Sequence, residues 1–373
     1  MLVLTNRTAY IRHGPWCPDG TWAAMPFWLA LEPSVRERLE ELLGEGKNFD
    51  RNATKAANPE WCPNLCKAKE EGLPLFITAN PGDYPPKDLL EGYVVLLVDF
   101  CYGKKAFDIL MQEIGPTGHV IILDHHETNE QVVAAIRDEY SGRITTVFDT
   151  SRSGAEIAWE FARAQGIYTG PDSRVKDYVG DRDMWKFALA YSREINAALR
   201  VENISSSLGS ATAAYHRETD YPTWLDTEAA RSGECYLRAQ AEIVQAIASG
   251  AKTAYVTARA DSGELEEYKI RVVNSPTFQS EIGHELASRA WSDGGLPDFV
   301  AVWCYKHGYD EMHISVRTAR PDINLSKIAP AIVGAINGGG HPAAAGCAVK
   351  GSDVKAIFRN HTSVVNSVGA AKD

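Results

Sequence analysis

No run of this 373-residue chain approaches the roughly 18 uninterrupted apolar residues that a membrane span needs, and Met1 to Thr8 lacks the basic-then-apolar pattern of a secretory signal. The expectation is a soluble, cytoplasmic protein with no membrane partner. Positive charge is also scarce. With 38 Lys and Arg against 49 Asp and Glu, the formal charge is -11, which excludes coating of long nucleic acid by charge alone. Short or small phosphate ligands stay open. Seven cysteines, an odd number at irregular spacing, imply reduced thiols and no disulfide framework. Cys62 and Cys66 stand at the spacing of half a zinc site, but no second pair completes it.

What is there is an ordinary globular composition, 45% hydrophobic and 23% charged, in a chain long enough for two domains. The first half alternates strands and helices as a doubly wound α/β domain does. Strands are expected near Thr8 to Arg12, Leu75 to Ala79, Tyr93 to Phe100, His119 to Leu123 and Arg143 to Phe148. Helical spacing of apolar residues marks Thr21 to Leu31, Ser34 to Leu43, Ala106 to Ile114, Asn129 to Arg137 and Gly154 to Ala164. The polar stretch from Gly44 to Pro74 reads as an insertion, a surface loop before a lid, and is also the place where self-association into a homodimer would be sought. An amphipathic helix from Thr227 to Ala248 leads to a second α/β unit. That unit has strands near Ala254 to Arg259, Tyr268 to Val273, Phe299 to Tyr305 and His313 to Arg317, and helices near Phe278 to Ala290 and Asn324 to Ile336. The division expected is a catalytic domain over 1–195, a helical connector over 196–250 and a smaller domain over 251–373.

Chemistry concentrates where strands end. Asp124-His125-His126 follows the buried run Val120-Ile121-Ile122-Leu123, and ligands of open parallel sheets collect beyond such carboxyl ends. Asp99 ends the run Val94 to Val98 in the same way. His13 follows the first strand, and Asp19-Gly20 precedes a helix, where Gly20 would allow a tight turn aiming Asp19 into the crevice. Asp181-Arg182-Asp183 lies among apolar neighbours, where carboxylates are paired with a cation, either Arg182 or a metal. Each residue alone has an ordinary structural explanation. Together they favour a shared metal centre, and aspartate with histidine suits manganese, with magnesium as the alternative. That chemistry points to phosphoester hydrolysis without a serine or cysteine nucleophile. Near the C-terminus, the glycine run Gly338-Gly339-Gly340 before His341 is flexible enough to let backbone N–H groups approach an anion, with a plain loop as the alternative, and Arg317 and Arg320 add positive charge.

This ordered set, from Cys17-Pro18-Asp19-Gly20 through Val98-Asp99, Asp124-His125-His126, Asp181-Arg182-Asp183-Met184-Trp185 and Ser315-Val316-Arg317 to Gly338-Gly339-Gly340-His341, resembles the DHH phosphoesterase superfamily whose members carry a glycine-rich DHH-associated domain. The resemblance implies a parallel-sheet catalytic domain, a smaller α/β substrate-binding domain, and hydrolysis with one or two manganese ions. It implies Asp19, Asp99, His125 and Asp181 as ligands, with His13 as a further candidate. Asp124 would orient an imidazole, and His126 would face the scissile phosphate or protonate the leaving oxygen. Arg317, Gly338, Gly339, Gly340 and His341 would hold the substrate's phosphate or nucleotide end.

The chain departs from the family pattern in its first motif. Cys17 stands where relatives have an aspartate, and Pro15 occupies the usual histidine position, two residues from His13. The substrate expected is a short oligonucleotide or a small, including cyclic, nucleotide. The alternatives are phosphatase action on a nucleotide bisphosphate and a catalytically weakened nucleotide-binding regulator. Trp16, Trp22 and Trp185 are read as core aromatics before stacking platforms for a base.

Overall fold

The computed structural model describes residues 7–14, 17–43, 63–204, 207–260, 262–305, 311–350 and 354–360. Pro15, Trp16, Cys62 and the greater part of the 44–74 insertion lie outside the described residues. Two compact units, Met1–Leu237 and Arg238–Asp373, divide the chain.

The first unit is built on a five-stranded parallel sheet. Its strands are β1 (Thr8–His13), β2 (Leu75–Ala79), β3 (Val94–Val98), β4 (His119–Asp124) and β5 (Ile144–Phe148), in the order β2-β1-β3-β4-β5. Branched apolar residues make these strands. Val120 to Leu123 are fully buried, as a central parallel strand covered on both faces requires. The helices are α1 (Pro18–Leu29), α2 (Pro33–Leu43), α3 (Pro63–Glu70), α4 (Lys104–Glu113), α5 (Glu130–Glu139), α6 (Gly154–Ala164), α7 (Arg174–Asp183), α8 (Ser192–Val201) and α9 (Leu208–Asp220). Aromatic packing locks α1 to the sheet edge. Tyr10 stacks on Phe27 and Phe76, Trp28 meets Phe76 edge-on, and the Trp159 indole N–H donates to Trp22 O at 2.8 Å. Trp22 is fully buried and is therefore core, not a platform.

Register decides what the strand ends bring together. Arg12 pairs with Val98, and Val98 with Leu123, so His13, Asp99 and Asp124 leave three adjacent strands at one level. The connector expected over 196–250 is not separate. Its first part, with α9, belongs to the first unit, where Trp28 Nε1 donates to Thr212 Oγ1 at 3.0 Å. A π-turn, Leu225–Ala229, then opens α10 (Ala230–Ser249).

The second unit holds a six-stranded mixed sheet in the order β10-β11-β9-β8-β7-β6. These strands are β6 (Lys252–Arg259), β7 (Leu265–Asn274), β8 (Val300–Tyr305), β9 (Glu311–Arg317), β10 (Ala335–His341) and β11 (Ala344–Lys350), with α11 (Gln279–Ala287), α12 (Leu325–Ala331) and α13 (Val354–Ile357). Ile270, Phe299, Met312, Ile314, Val316 and Leu325 form the heart of its core. The helix expected to reach Ile336 stops at Ala331. Pro330 interrupts its hydrogen bonding, and Gly334 turns the chain at φ 94° into β10. The glycine run is accordingly an edge strand rather than a loop.

Candidate metal centre

Asp99 is the hub. It follows β3 in the left-handed region at φ 54°, a conformation aspartate tolerates better than most residues. Its Oδ1 lies 3.1 Å from His125 Nε2. Its Oδ2 accepts from the Cys17 thiol at 3.3 Å and lies 3.5 Å from His13 Nδ1. The neighbouring helix can come this close because Gly154, the first residue of α6, has no side chain. A Cβ there would fall 2.5 Å from Asp99 Cβ.

Asp19 sits in the first turn of α1 and spans to the N-terminus of α6, accepting from Gly154 N at 2.6 Å and Ala155 N at 3.1 Å. A carboxylate at a helix N-terminus gains from both the exposed amides and the helix dipole. Gly20 is not the turn that aims it. It lies inside α1, where its missing Cβ lets the helix pack on His13 O, 2.5 Å from where that Cβ would be.

Asp124 is a fully engaged orienting group. Its Oδ1 accepts from the His125 and His126 backbone amides at 2.8 and 3.3 Å and lies 2.8 Å from His126 Nδ1, while its Oδ2 accepts from Asn129 Nδ2 at 2.6 Å. His125 is buried with its Nε2 facing three carboxylates, Asp99 at 3.1 Å, Asp183 at 3.5 Å and Asp19 at 3.7 Å.

Two donor groups lie wholly within the first unit among the described residues. Asp19, Asp99 and His125 form a fully buried one, and His13, Asp99 and His126 form a more open one. In each, one ligand atom from every residue lies within 4.8 Å of the others. Asp99 belongs to both. Either group could hold a metal ion, and Asp99 would serve in both.

The electrostatics are unbalanced without a cation. Burial, reinforced by Asp99 and Asp183, raises Asp19 well above the usual carboxylate range, and burial likewise raises Asp183. Burial also opposes ionisation of Asp99, but the His125 hydrogen bond and the nearby His13 and His126 imidazoles overcome it and hold Asp99 well below that range. Burial would depress His125, yet Asp99, Asp183 and Asp19 push it up to about 10. Burial raises the Cys17 thiol, and Asp99, Asp183 and Asp19 raise it further. Among the described residues, the buried atoms His13 Nδ1 and Asp183 Oδ2 have no hydrogen-bond partner. Buried polar atoms facing a carboxylate cluster in this way fit the coordination of a cation.

The placement corrects the fourth carboxylate. Asp181 lies on the other side of the α7 C-terminus, where its oxygens accept from Ala188 N at 2.9 Å, Leu189 N at 3.3 Å and Ser192 Oγ at 2.5 Å. Those bonds occupy it. Asp183, two residues on and thus about 200° around the helix, is the one that faces His125. Both sit in one Asp-Arg-Asp motif, and sequence spacing alone could not choose between them.

Arg12 was not legible as a site residue. Buried under the cluster on β1, it donates to Gly14 O at 2.9 Å and Thr21 Oγ1 at 2.8 Å. Burial lowers it to about 10, against the opposing pull of Cys17 and Asp99. The signal was available as an arginine inside an otherwise apolar strand.

In the second unit, Ala344 pairs with His341 on one side and Arg317 on the other, so these two candidates share one sheet end. The Arg317 guanidinium is already supported by Ser280 Oγ at 2.7 Å, Val316 O at 2.7 Å and Ser315 Oγ at 3.1 Å. Arg320 is paired with Asp298 and Asp322. Two glycines of β10, Gly338 and Gly340, are needed for packing. A Cβ on Gly338 would meet Pro330 Cα at 2.8 Å, and one on Gly340 would meet Ala344 O at 2.6 Å.

No protein-family model matches the chain. A curated relative, the uncharacterized protein R106 of Acanthamoeba polyphaga mimivirus, is 26% identical over 277 residues, covering 71% of this chain and 55% of the relative, so the chain spans about half of that protein's length. Among solved structures, a DHH domain from a member of a ribosomal-protein family is similar at 15% identity and a TM-score of 0.45, over 92% of this chain and 83% of its own. A pGpG-specific phosphodiesterase, PggH of Vibrio cholerae, is similar at 11% identity and 0.36, over 92% and 93% of the two chains. Exonuclease RecJ bound to manganese is similar at 13% identity and 0.39, over 92% and 86%.

Proposed function

We propose that the chain is a metal-dependent phosphoesterase of the DHH type that hydrolyses phosphodiester bonds in short oligonucleotides or small nucleotides, with manganese as the favoured ion. The observation that carries this reading is the pair of donor groups sharing Asp99 at the carboxyl ends of β1, β3 and β4. Asp19, Asp99, His125 and Asp183 would hold one ion. His13, Asp99 and His126 would hold a second, with Cys17 beside it. The oxygen-rich set with one imidazole suits manganese better than zinc.

When bound, such an ion polarises phosphoryl oxygen and acidifies water, so no side-chain nucleophile is required. The chain's own residues do the remaining work. The α6 N-terminus fixes Asp19 through two backbone amides. Asp124 fixes His126 at Nδ1, and with one ion in the buried set His126 is the group that contacts the phosphate or protonates the leaving oxygen. Burial of Asp99 and His125 excludes water from behind them. Arg317, His341 and the β10 backbone at Gly338 to Gly340 are the second unit's proposed phosphate-holding groups.

Cys17 in the place of a carboxylate favours a second reading, a nucleotide-binding protein with weakened catalysis. Hydrolysis of an RNA dinucleotide with manganese, products resolved by chromatography, separates the two. Turnover that falls by on the order of a thousandfold or more in Asp99→Ala supports the enzyme, since a bridging ligand supplies several kcal/mol of charge stabilisation. Binding without turnover supports the second reading.

A further inference from the structure

We infer that Arg12 is the positioning residue of the more open donor group: through Thr21 and the backbone it fixes the chain on both sides of the first motif, so that His13 can hold a second ion with Asp99 and His126. The ion rests on the phosphoesterase reading above. The positioning rests on the hydrogen bonds that join β1 to α1.

The strand itself does not call for an arginine. Ala9, Tyr10 and Ile11, which precede Arg12 on β1, are apolar and buried, and an apolar residue at position 12 would continue that face without the cost of taking a charge out of water. What meets the guanidinium is specific. Its Nη1 donates to Gly14 O at 2.9 Å and to Thr21 Oγ1 at 2.8 Å, and lies 3.5 Å from His13 O. None of these oxygens is a carboxylate. Thr21, fully buried in α1, passes the contact on by donating from Oγ1 to Cys17 O at 3.0 Å. Gly14 is held from its other side as well, since its amide donates to Ala79 O at 2.8 Å at the end of β2. One nitrogen of Arg12 thus secures Gly14 directly and Cys17 through a single hydroxyl.

The residues secured in this way carry side chains that meet at one atom. Cys17 Sγ lies 3.3 Å and His13 Nδ1 3.5 Å from Asp99 Oδ2. His13 Nδ1 is buried and has no hydrogen-bond partner among the described residues, so the ring is placed by its packing against Phe100 and His126 and by the backbone that Arg12 fixes. The buried donor group is anchored elsewhere: Asp19 by the α6 amides Gly154 N and Ala155 N, and Asp183 by its place on α7. Loss of Arg12 should therefore fall on one ion and spare the other. The sign of the effect separates positioning from charge balance. A guanidinium that merely neutralised Asp99 would repel a cation, and its removal would tighten ion binding, whereas a positioning residue loosens the ion when it is lost.

The test measures manganese stoichiometry and affinity of the full chain by equilibrium dialysis, together with electron paramagnetic resonance, in which two ions sharing Asp99 couple to one another and a single ion does not. The variants are Arg12→Met, Thr21→Val, which removes the relaying hydroxyl at nearly constant volume, and Thr21→Ser, which keeps it. The wild type is expected to bind two coupled ions. The weaker one should lose roughly ten- to a hundredfold in affinity in Arg12→Met and about tenfold in Thr21→Val, while the stronger one stays within about threefold and Thr21→Ser keeps both. A second ion that binds unchanged or more tightly in Arg12→Met or Thr21→Val, an equal loss at both ions, or a wild type with a single ion overturns the inference. If Arg12→Met does not fold, the two Thr21 variants decide by the same criteria. Two coupled ions that depend on Thr21 and Arg12, in a chain that leaves an RNA dinucleotide intact, would remove the phosphoesterase reading and keep the positioning role. Cleavage of the dinucleotide with a second ion indifferent to these variants would do the reverse.

Discussion

The two units treat buried charge in opposite ways. At the carboxyl ends of β1, β3 and β4, Asp19, Asp99 and Asp183 converge on His125, and Asp19 and Asp183 are pushed toward the neutral form because burial and the charge of Asp99 oppose ionisation. At the β9 and β10 end of the second sheet, arginines are answered locally: Arg320 by Asp298 and Asp322, Arg317 by hydroxyl and carbonyl oxygens. A cluster of like charges that burial keeps from ionising gains from a cation, whereas an arginine such as Arg320, answered by two carboxylates, has its charge balanced by folding. Strand-end position alone therefore does not make a site. The sign of the neighbours does.

The sharpest way to break the contrast is to exchange the two aspartates of α7. Asp183→Ala should weaken manganese binding by roughly ten- to a hundredfold or more, read by calorimetric titration, while leaving the fold intact. Asp181→Ala should bind manganese like the wild type but lower the melting temperature by several degrees. It leaves Ser192 Oγ and two amides unanswered, a loss of about 1.5–3 kcal/mol for hydrogen bonds to a charged group. Equal effects of the two variants on metal binding would remove the assignment of Asp183.

A smaller effect, on pH dependence, sharpens the same point. His125 has its folded value raised to about 10 from an ordinary 6.5, so its contribution to stability is complete below about pH 6.5 and is lost as the pH rises through 10. Metal-free protein should lose melting temperature over that window. The proton on His125 and a metal ion compete for the same nitrogen, so manganese should stabilise more at pH 9 than at pH 6, and a stabilisation independent of pH would count against His125 as a ligand. The smallest change is expected in the second unit. Arg320→Ala should shift stability by less than about 1 kcal/mol and leave nucleotide binding unaltered, because its charge is already met by the half-buried Asp298 and the exposed Asp322. A tenfold loss of nucleotide affinity would show that this end of the sheet is less self-contained than its ion pairs imply.

The parallel sheet was legible because its strands are short, branched and apolar, and such runs have few other solutions. Leu75–Ala79 and Gly154–Ala164 fall where the periodicity places them. The β10–β11 hairpin was hidden, since Gly338 to Gly340 carry no side-chain alternation to read and their glycines answer a packing constraint from Pro330 and Ala345. Trp22 and Trp185, alike in sequence as aromatic neighbours of motif aspartates, separate only in the fold. One is sealed in the core and the other stands on a strained helix end.

What the sequence by itself determined is the inventory: which carboxylates and imidazoles stand at strand ends, and that Cys17 stands among them. Covalent order and the two-residue period of a strand suffice for that. Only the tertiary structure decided which of Asp181 and Asp183 joins the cluster, that Arg12 lies beneath it, and that Gly154 gives Asp99 its room. These depend on distances of a few ångströms between segments far apart in the chain, set by strand register and helix packing.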